Sequence, residues 1–121
     1  MPVYSQIEYQ NQNMYLEITL PKPSSGTFIY GVGNAVIKSV ELSIGGFVID
    51  RHYSDWLNIW SELTTDAGLL QGYDTMVGNL YSYDYNSESQ TTFYVPLMFW
   101  FNRNPGLALP LVAIQYSEVL L

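Results

Sequence analysis

Apolar and polar residues alternate from Met14 to Leu20, where Leu16, Ile18 and Leu20 interleave with Tyr15, Glu17 and Thr19. A period of two puts each set on one face, so the stretch predicts a half-buried strand. Pro21, Pro23 and Gly26 stop it. Thr27 to Asn34 predicts a short strand broken by Gly31 and Gly33. Ala35 to Tyr53 predicts a hairpin whose two-residue turn is Gly45-Gly46, because such a turn needs positive φ at both positions. In the simplest register Ile44 faces Phe47 and Leu42 faces Ile49, so both arms bury one side. Glu41 then falls opposite Asp50, an unfavourable like-charge pair that a bulge or a nearby cation would relieve.

The period changes at Ser54. Trp56, Ile59, Trp60 and Leu63 follow helical spacing behind Ser54 or Asp55 as N-cap, which predicts a short helix over 54–64 whose core stripe is those four residues. From Thr65 to Thr92 the chain is rich in Gly, Ser, Asn, Asp and Tyr, with strand-like alternation only near Thr75 to Tyr83, and it reads as a long exposed loop. Thr91 to Phe101 and Leu107 to Leu121 predict the strongest strands, with Pro96 and Pro110 confined to edges, starts or bulges. Between them Asn104, Pro105 and Gly106 predict a tight reversal, after which Leu107, Leu109, Leu111 and Ala113, with Tyr116 as a further candidate, offer a buried face. Antiparallel-type strands, one inserted helix and long loops together point to a β-sandwich.

Composition narrows what such a sandwich does. A chain of 121 residues has room for one domain and one core. It is 48% hydrophobic and only 12% charged, which suits a surface packed against other protein. Four basic against eleven acidic residues give a net charge of −7, which argues against nucleic acid and anionic membranes as direct partners. The absence of cysteine removes disulfides and thiolate metal sites, and no apolar run is long enough to span a bilayer.

Candidate chemistry is sparse. His52 is the only histidine, and with Asp50, Asp55 and nearby serines it could be arranged as a hydrolase triad. No nucleophile-elbow pattern accompanies it, so a hydrogen-bonded histidine at the strand-to-helix junction is the preferred reading, and no catalytic residue is assigned. Metal ligation by Asp50, His52 and Asp55 lacks a second histidine, so neither metal nor cofactor is assigned. Gly31 to Asn34 echoes a phosphate loop but lacks its Lys and Ser/Thr. Phe99, Trp100 and Phe101 read as core, with a ligand groove as the alternative. Tyr73 to Tyr85 reads as a loop at a subunit contact, with a sugar-stacking surface as the alternative.

Three blocks carry more than their separate signals: "VELSIGGFVIDRHYSDWLNIWSEL" (Val40 to Leu63), "MVG" (Met76 to Gly78) and "FYVPLMFWFNRNPGLALPLVAIQYSEV" (Phe93 to Val119). In order and spacing they resemble the major capsid proteins of large icosahedral nucleocytoplasmic DNA viruses, and the "MYLEITL" strand upstream fits as well. The resemblance implies an antiparallel jelly roll, the first of two in the family chain, with three chains forming a pseudo-hexagonal capsomer. It implies a structural protein of the virion, made in the host cytoplasm, whose partners are itself as a homotrimer and other capsid proteins. The structural motif positions within these blocks are Gly45, Gly46, Asp50, His52, Trp56, Pro96, Phe99, Trp100, Asn104, Pro105, Gly106 and Pro110. Against that family, residues 1–121 are expected to be one jelly-roll domain truncated at both ends, since the closing strands and the second roll do not appear. A lectin-like jelly roll is the alternative function.

Overall fold

The computed structural model describes residues 14–79, 90–107, 109, 114 and 117–121. Two antiparallel sheets form the frame. Strand β1 (Tyr15–Pro21) pairs with β4 (Gln90–Pro96), setting Leu16, Ile18 and Leu20 opposite Val95, Phe93 and Thr91. The alternation read from the sequence thus meets a matching alternation, and Phe93 and Val95 are buried beneath it. The second sheet has the order β3-β2-β5, from β2 (Ser39–Ile44), β3 (Phe47–Tyr53) and β5 (Val119–Leu120).

Gly45 and Gly46 turn the β2–β3 hairpin at φ 60° and 84°, and Ile44 faces Phe47 as expected. Beyond that the register slips. A bulge next to Leu42 and Ser43 leaves Ile49 unpaired, so Leu42 faces Asp50 and Glu41 faces Arg51. The slip replaces a carboxylate pair by an ion pair, with Arg51 Nε donating to Glu41 Oε2 at 2.7 Å. The expected common buried face does not form: Leu42 is buried, whereas Phe47, Val48 and Ile49 stay more than half exposed.

Among the described residues three helices accompany the sheets, two more than the pattern predicts: α1 (Val32–Ala35), α2 (Ser54–Thr64) and α3 (Ala67–Val77). The short strand expected around Gly31 and Gly33 is instead the entry to α1. A Cβ on Gly33 would lie 3.0 Å from the Val77 carbonyl and 3.2 Å from Val95, so glycine lets this turn seat itself closely on α3 and β4. Helix α2 has the expected span, but its cap is Tyr53 and its buried positions are Leu57 and Ser61. Ile59 and Leu63, assigned to the core by spacing, point outward, and the stripe is rotated toward Ile37, Tyr73, Val77 and Val95. Helix α3 replaces the front of the expected loop. Gly68, Gly72 and Thr75 dilute its helix propensity, and burial of Tyr73 and Val77, one helical turn apart, supplies what propensity does not.

The aromatic strand ends sooner than predicted. β4 stops at Pro96, Leu97 N–H donates to the Met14 carbonyl at 2.9 Å, and Trp100–Asn102 closes as a single 3₁₀ turn. Asn102 stabilises that turn by accepting the Phe99 N–H at its side-chain oxygen, 3.2 Å away. Of the final predicted strand, Leu107 instead ends a 3₁₀ turn (Pro105–Leu107) and is 48% exposed, and among the described residues only β5 is strand, pairing Val119 with Ile44 and Leu120 with Ser43. Pro110 and most of 108–116 lie outside the described residues.

The core has three parts. Ile37, Leu57, Tyr73, Val77 and Val95 join the helices to β4; Leu42, Leu97, Phe99 and Phe101 join the hairpin to the segment after β4; Val32 and Phe93 form a smaller group. Val40 packs against both of the larger parts and so ties the two sheets into one interior.

Candidate functional site

The first and third sequence blocks meet at His52. The residue lies on β3 just before α2, 7% exposed, with Nε2 3.1 Å from Asp50 Oδ2. Positions 50 and 52 share a strand face, which is why the carboxylate reaches the ring. The other Asp50 oxygen accepts the Arg51 backbone N–H at 2.9 Å. Arg51 is itself held above the usual arginine range, first by the Tyr53 hydroxyl and then by Glu41.

From His52 an aromatic belt runs both ways. Its imidazole stacks on Phe99 with centroids 4.6 Å apart, and Phe99 stacks on Phe101 at 5.6 Å. Trp100 meets Phe101 edge-on at 5.2 Å. In the other direction Trp56 lies tilted 6.0 Å from His52, and Trp60, one turn further along α2, stacks on Trp56 at 5.3 Å. Arg103 completes the belt by placing its guanidinium carbon 4.3 Å over the Trp60 ring. Helix α2 and the segment 99–103 are therefore joined by side chains alone, through contacts worth more than their buried area.

The remaining motif residues set the backbone around this belt. Gly45 N–H donates to the Glu118 carbonyl at 2.9 Å, tying the hairpin turn to the approach of β5. Pro96 closes β4 opposite Tyr15, at a strand end where its missing N–H removes no ladder bond. Asn104, Pro105 and Gly106 form the expected reversal: Asn104 Oδ1 accepts the Gly106 N–H and its carbonyl accepts the Leu107 N–H, each at 2.9 Å. Phe99 and Trp100, expected in a strand, sit at the 3₁₀ turn that aims them into the belt.

A second polar centre had no sequence signature. Asn34 is 1% exposed, and its Nδ2 donates to Asn58 Oδ1 and to the Tyr73 hydroxyl, both at 2.9 Å. This knot joins α1, α2 and α3. Tyr73, the first tyrosine of the segment considered for sugar stacking, is thereby turned inward, and Tyr81, Tyr83 and Tyr85 lie outside the described residues. The lectin-like alternative finds no support. Asp55 is exposed in the first turn of α2, and among the described residues no three acid or histidine side chains gather for a metal ion. Of the residues missed, Arg103 had a usable signal as the lone cation in an aromatic stretch; Asn34 had none.

Residues 11–121 match the family described as major capsid protein N-terminus. The chain is 53% identical to the major capsid protein of Pyramimonas orientalis virus over 72% of its own length and 23% of that protein's. It is 40% identical to probable capsid protein 4 of Acanthamoeba polyphaga mimivirus, covering 97% of this chain and 23% of that one. Against the major capsid protein of Paramecium bursaria Chlorella virus 1 the identity is 39%, over 90% and 24%. The chain thus spans about a quarter of the length of these relatives. Its structure superposes on that of PBCV-1 VP54, fitted into a cryo-EM reconstruction of the virophage Sputnik, with a TM-score of 0.76 and 38% identity, covering 88% of this chain and 25% of that one. The fold is therefore an antiparallel jelly roll of the capsid type.

Proposed function

Because the chain belongs to the major capsid protein family, matching its N-terminal part, we propose that it is a structural subunit of a virion shell that assembles as trimeric, pseudo-hexagonal capsomers. The carrying observation is the superposition on PBCV-1 VP54 at a TM-score of 0.76, supported by 38% identity. The aromatic belt agrees with this reading. It is a packing device in which the single imidazole is stacked between rings and paired with a carboxylate, and no Ser or Thr hydroxyl among the described residues is bonded to it. Its work is to hold α2 and the segment 99–103 rigid, so that the outer surface keeps one shape for its neighbours. The chain acts without catalysis or cofactor, resides in the capsid, is made in the host cytoplasm, and contributes one jelly-roll domain of a two-roll subunit.

The test is to produce the chain within the full-length reading frame and measure particle mass and outline by light scattering and negative-stain electron microscopy. A mass of three subunits with a hexagonal outline is expected. A discrete monomer at high protein concentration overturns the capsomer reading.

A further inference from the structure

Two exposed surfaces of the chain differ in charge as well as position. From Ser54 to Asn79, across α2 and α3, the sequence holds Asp55, Glu62, Asp66 and Asp74 and no Lys, Arg or His. The same helices leave Ile59 53%, Leu63 74% and Leu69 67% exposed, large apolar side chains that a lone soluble surface has no use for. From Lys22 to Lys38, across the loop before α1 and the turn after it, there are two lysines and no acid. Here Ile29 is 64%, Tyr30 47% and Val36 46% exposed.

Resting on the reading of the chain as a self-associating capsid subunit, we infer that the basic apolar segment Lys22 to Lys38 of one copy docks on the acidic apolar surface of α2 and α3 of the next. The choice of a second copy as occupant follows from the charges. The four acids outnumber Arg103, the cation that lies against α2 at Trp60, so α2–α3 repels an identical surface. Lys22 to Lys38 carries the opposite sign beside its own exposed apolar residues, and it is the one acid-free stretch of the chain to do so with two cations. A contact between two different surfaces of identical chains is heterologous, and repeated around an axis it closes a ring, as a trimer requires. Burying the apolar residues supplies attraction, while the charges select the pairing.

The experiment is a charge-reversal exchange read by sedimentation equilibrium at two salt concentrations. One variant carries Glu62→Lys and Asp66→Lys; the other carries Lys22→Glu and Lys38→Glu. All four positions are exposed, and circular dichroism confirms folding of each variant. Each variant alone is expected to associate at least ten-fold more weakly than the parent, and a single chain carrying all four reversals, which restores the pairing at every contact of a three-membered ring, to regain association. Parent association that neither exchange alters overturns this docking while leaving the capsomer reading intact. Oligomers of the parent that lack a three-fold mass, yet respond to the exchange, support the docking and overturn the trimer instead. A parent that stays monomeric overturns the docking.

Discussion

The imidazole of His52 lies flat on the ring of Phe99, centroids 4.6 Å apart and planes inclined by 23°. One residue stands near the end of a strand, the other 47 positions later just before a 3₁₀ turn, and their contact packs β3 onto the segment after β4. Phe99 is fully buried against Leu42, Leu97 and Phe101, so it is the centre of that packing. Phe99→Ala should cost about 3–5 kcal/mol in urea denaturation, the range for removing a buried aromatic ring. His52→Phe keeps a ring in the stack and releases Asp50, whose side chain is 36% exposed, to water. It should cost no more than about 1 kcal/mol, because a hydrogen bond to a partly exposed carboxylate contributes little. A His52→Phe loss as large as that of Phe99→Ala would show that the pairing, not the stacking, holds the belt.

Gly78 and Gly46 separate two costs that usually come together. Both have positive φ, 81° and 84°. A Cβ on Gly46 meets nothing within 4 Å, whereas one on Gly78 would lie 2.8 Å from Phe93 Cε1 and 3.0 Å from Val32 Cγ1. Gly46→Ala therefore carries only the left-handed backbone penalty, about 1–2 kcal/mol. Gly78→Ala adds overpacking of about 1–3 kcal/mol on top. Thermal melts of the two variants should rank them in that order, and equal losses would refute the steric argument.

What was legible in the sequence was whatever local period and turn chemistry decide. β1, the Gly45-Gly46 hairpin, the span of α2 and the Asn104 reversal follow from alternation, positive φ and capping-range residues. What was not legible depends on contacts across the chain. The stripe of α2 is rotated because Leu57 and Ser61, not Ile59 and Leu63, face Tyr73 and Val95, and nothing within the helix encodes where those residues stand. Helix α3 is invisible for the same reason: Gly68 and Gly72 weaken the local signal and tertiary burial overrides it. The bulge at Ile49 was half visible, since the clash of Glu41 with Asp50 announced that the simple register was wrong without saying which residue would leave the ladder. The aromatic belt drew on the first and third blocks of the family resemblance, yet neither block alone shows that His52 and Phe99 touch.

Arg103 over Trp60 is the one cationic contact of the belt. It fixes the turn after Phe101 to α2 at an exposed position, where a cation–π contact is worth about 0.5–1 kcal/mol. A double-mutant cycle of Arg103→Gln and Trp60→Leu should return a coupling energy of that size. The same cycle repeated at high salt should change little, because attraction to the ring quadrupole does not depend on a partner charge. A coupling of zero would mean that the guanidinium only rests there.

Asn34 ties α1 to α2 and α3 by donating from one nitrogen to Asn58 and Tyr73, while its own carbonyl oxygen, also buried, has no hydrogen-bond partner. The knot is therefore less favourable than two buried bonds suggest, since an orphaned buried acceptor costs about 1–3 kcal/mol. Removing the side chain removes that cost but strands the Tyr73 hydroxyl, which is buried against Leu57 and Val77. Asn34→Ala should thus lose about 1–3 kcal/mol, from the stranded hydroxyl and the space left behind. Tyr73→Phe alone should lose less, because Asn34 still donates to Asn58. Combined, the two changes should cost less than their sum, since the phenyl ring leaves no hydroxyl to strand, and residues in direct contact depart from additivity by about 0.5 kcal/mol or more. Equilibrium denaturation of the two single variants and the double one measures this directly. Strict additivity would mean that Asn34 and Tyr73 act independently, and that the three helices are held by the apolar core around Leu57 and Val95 rather than by the amide.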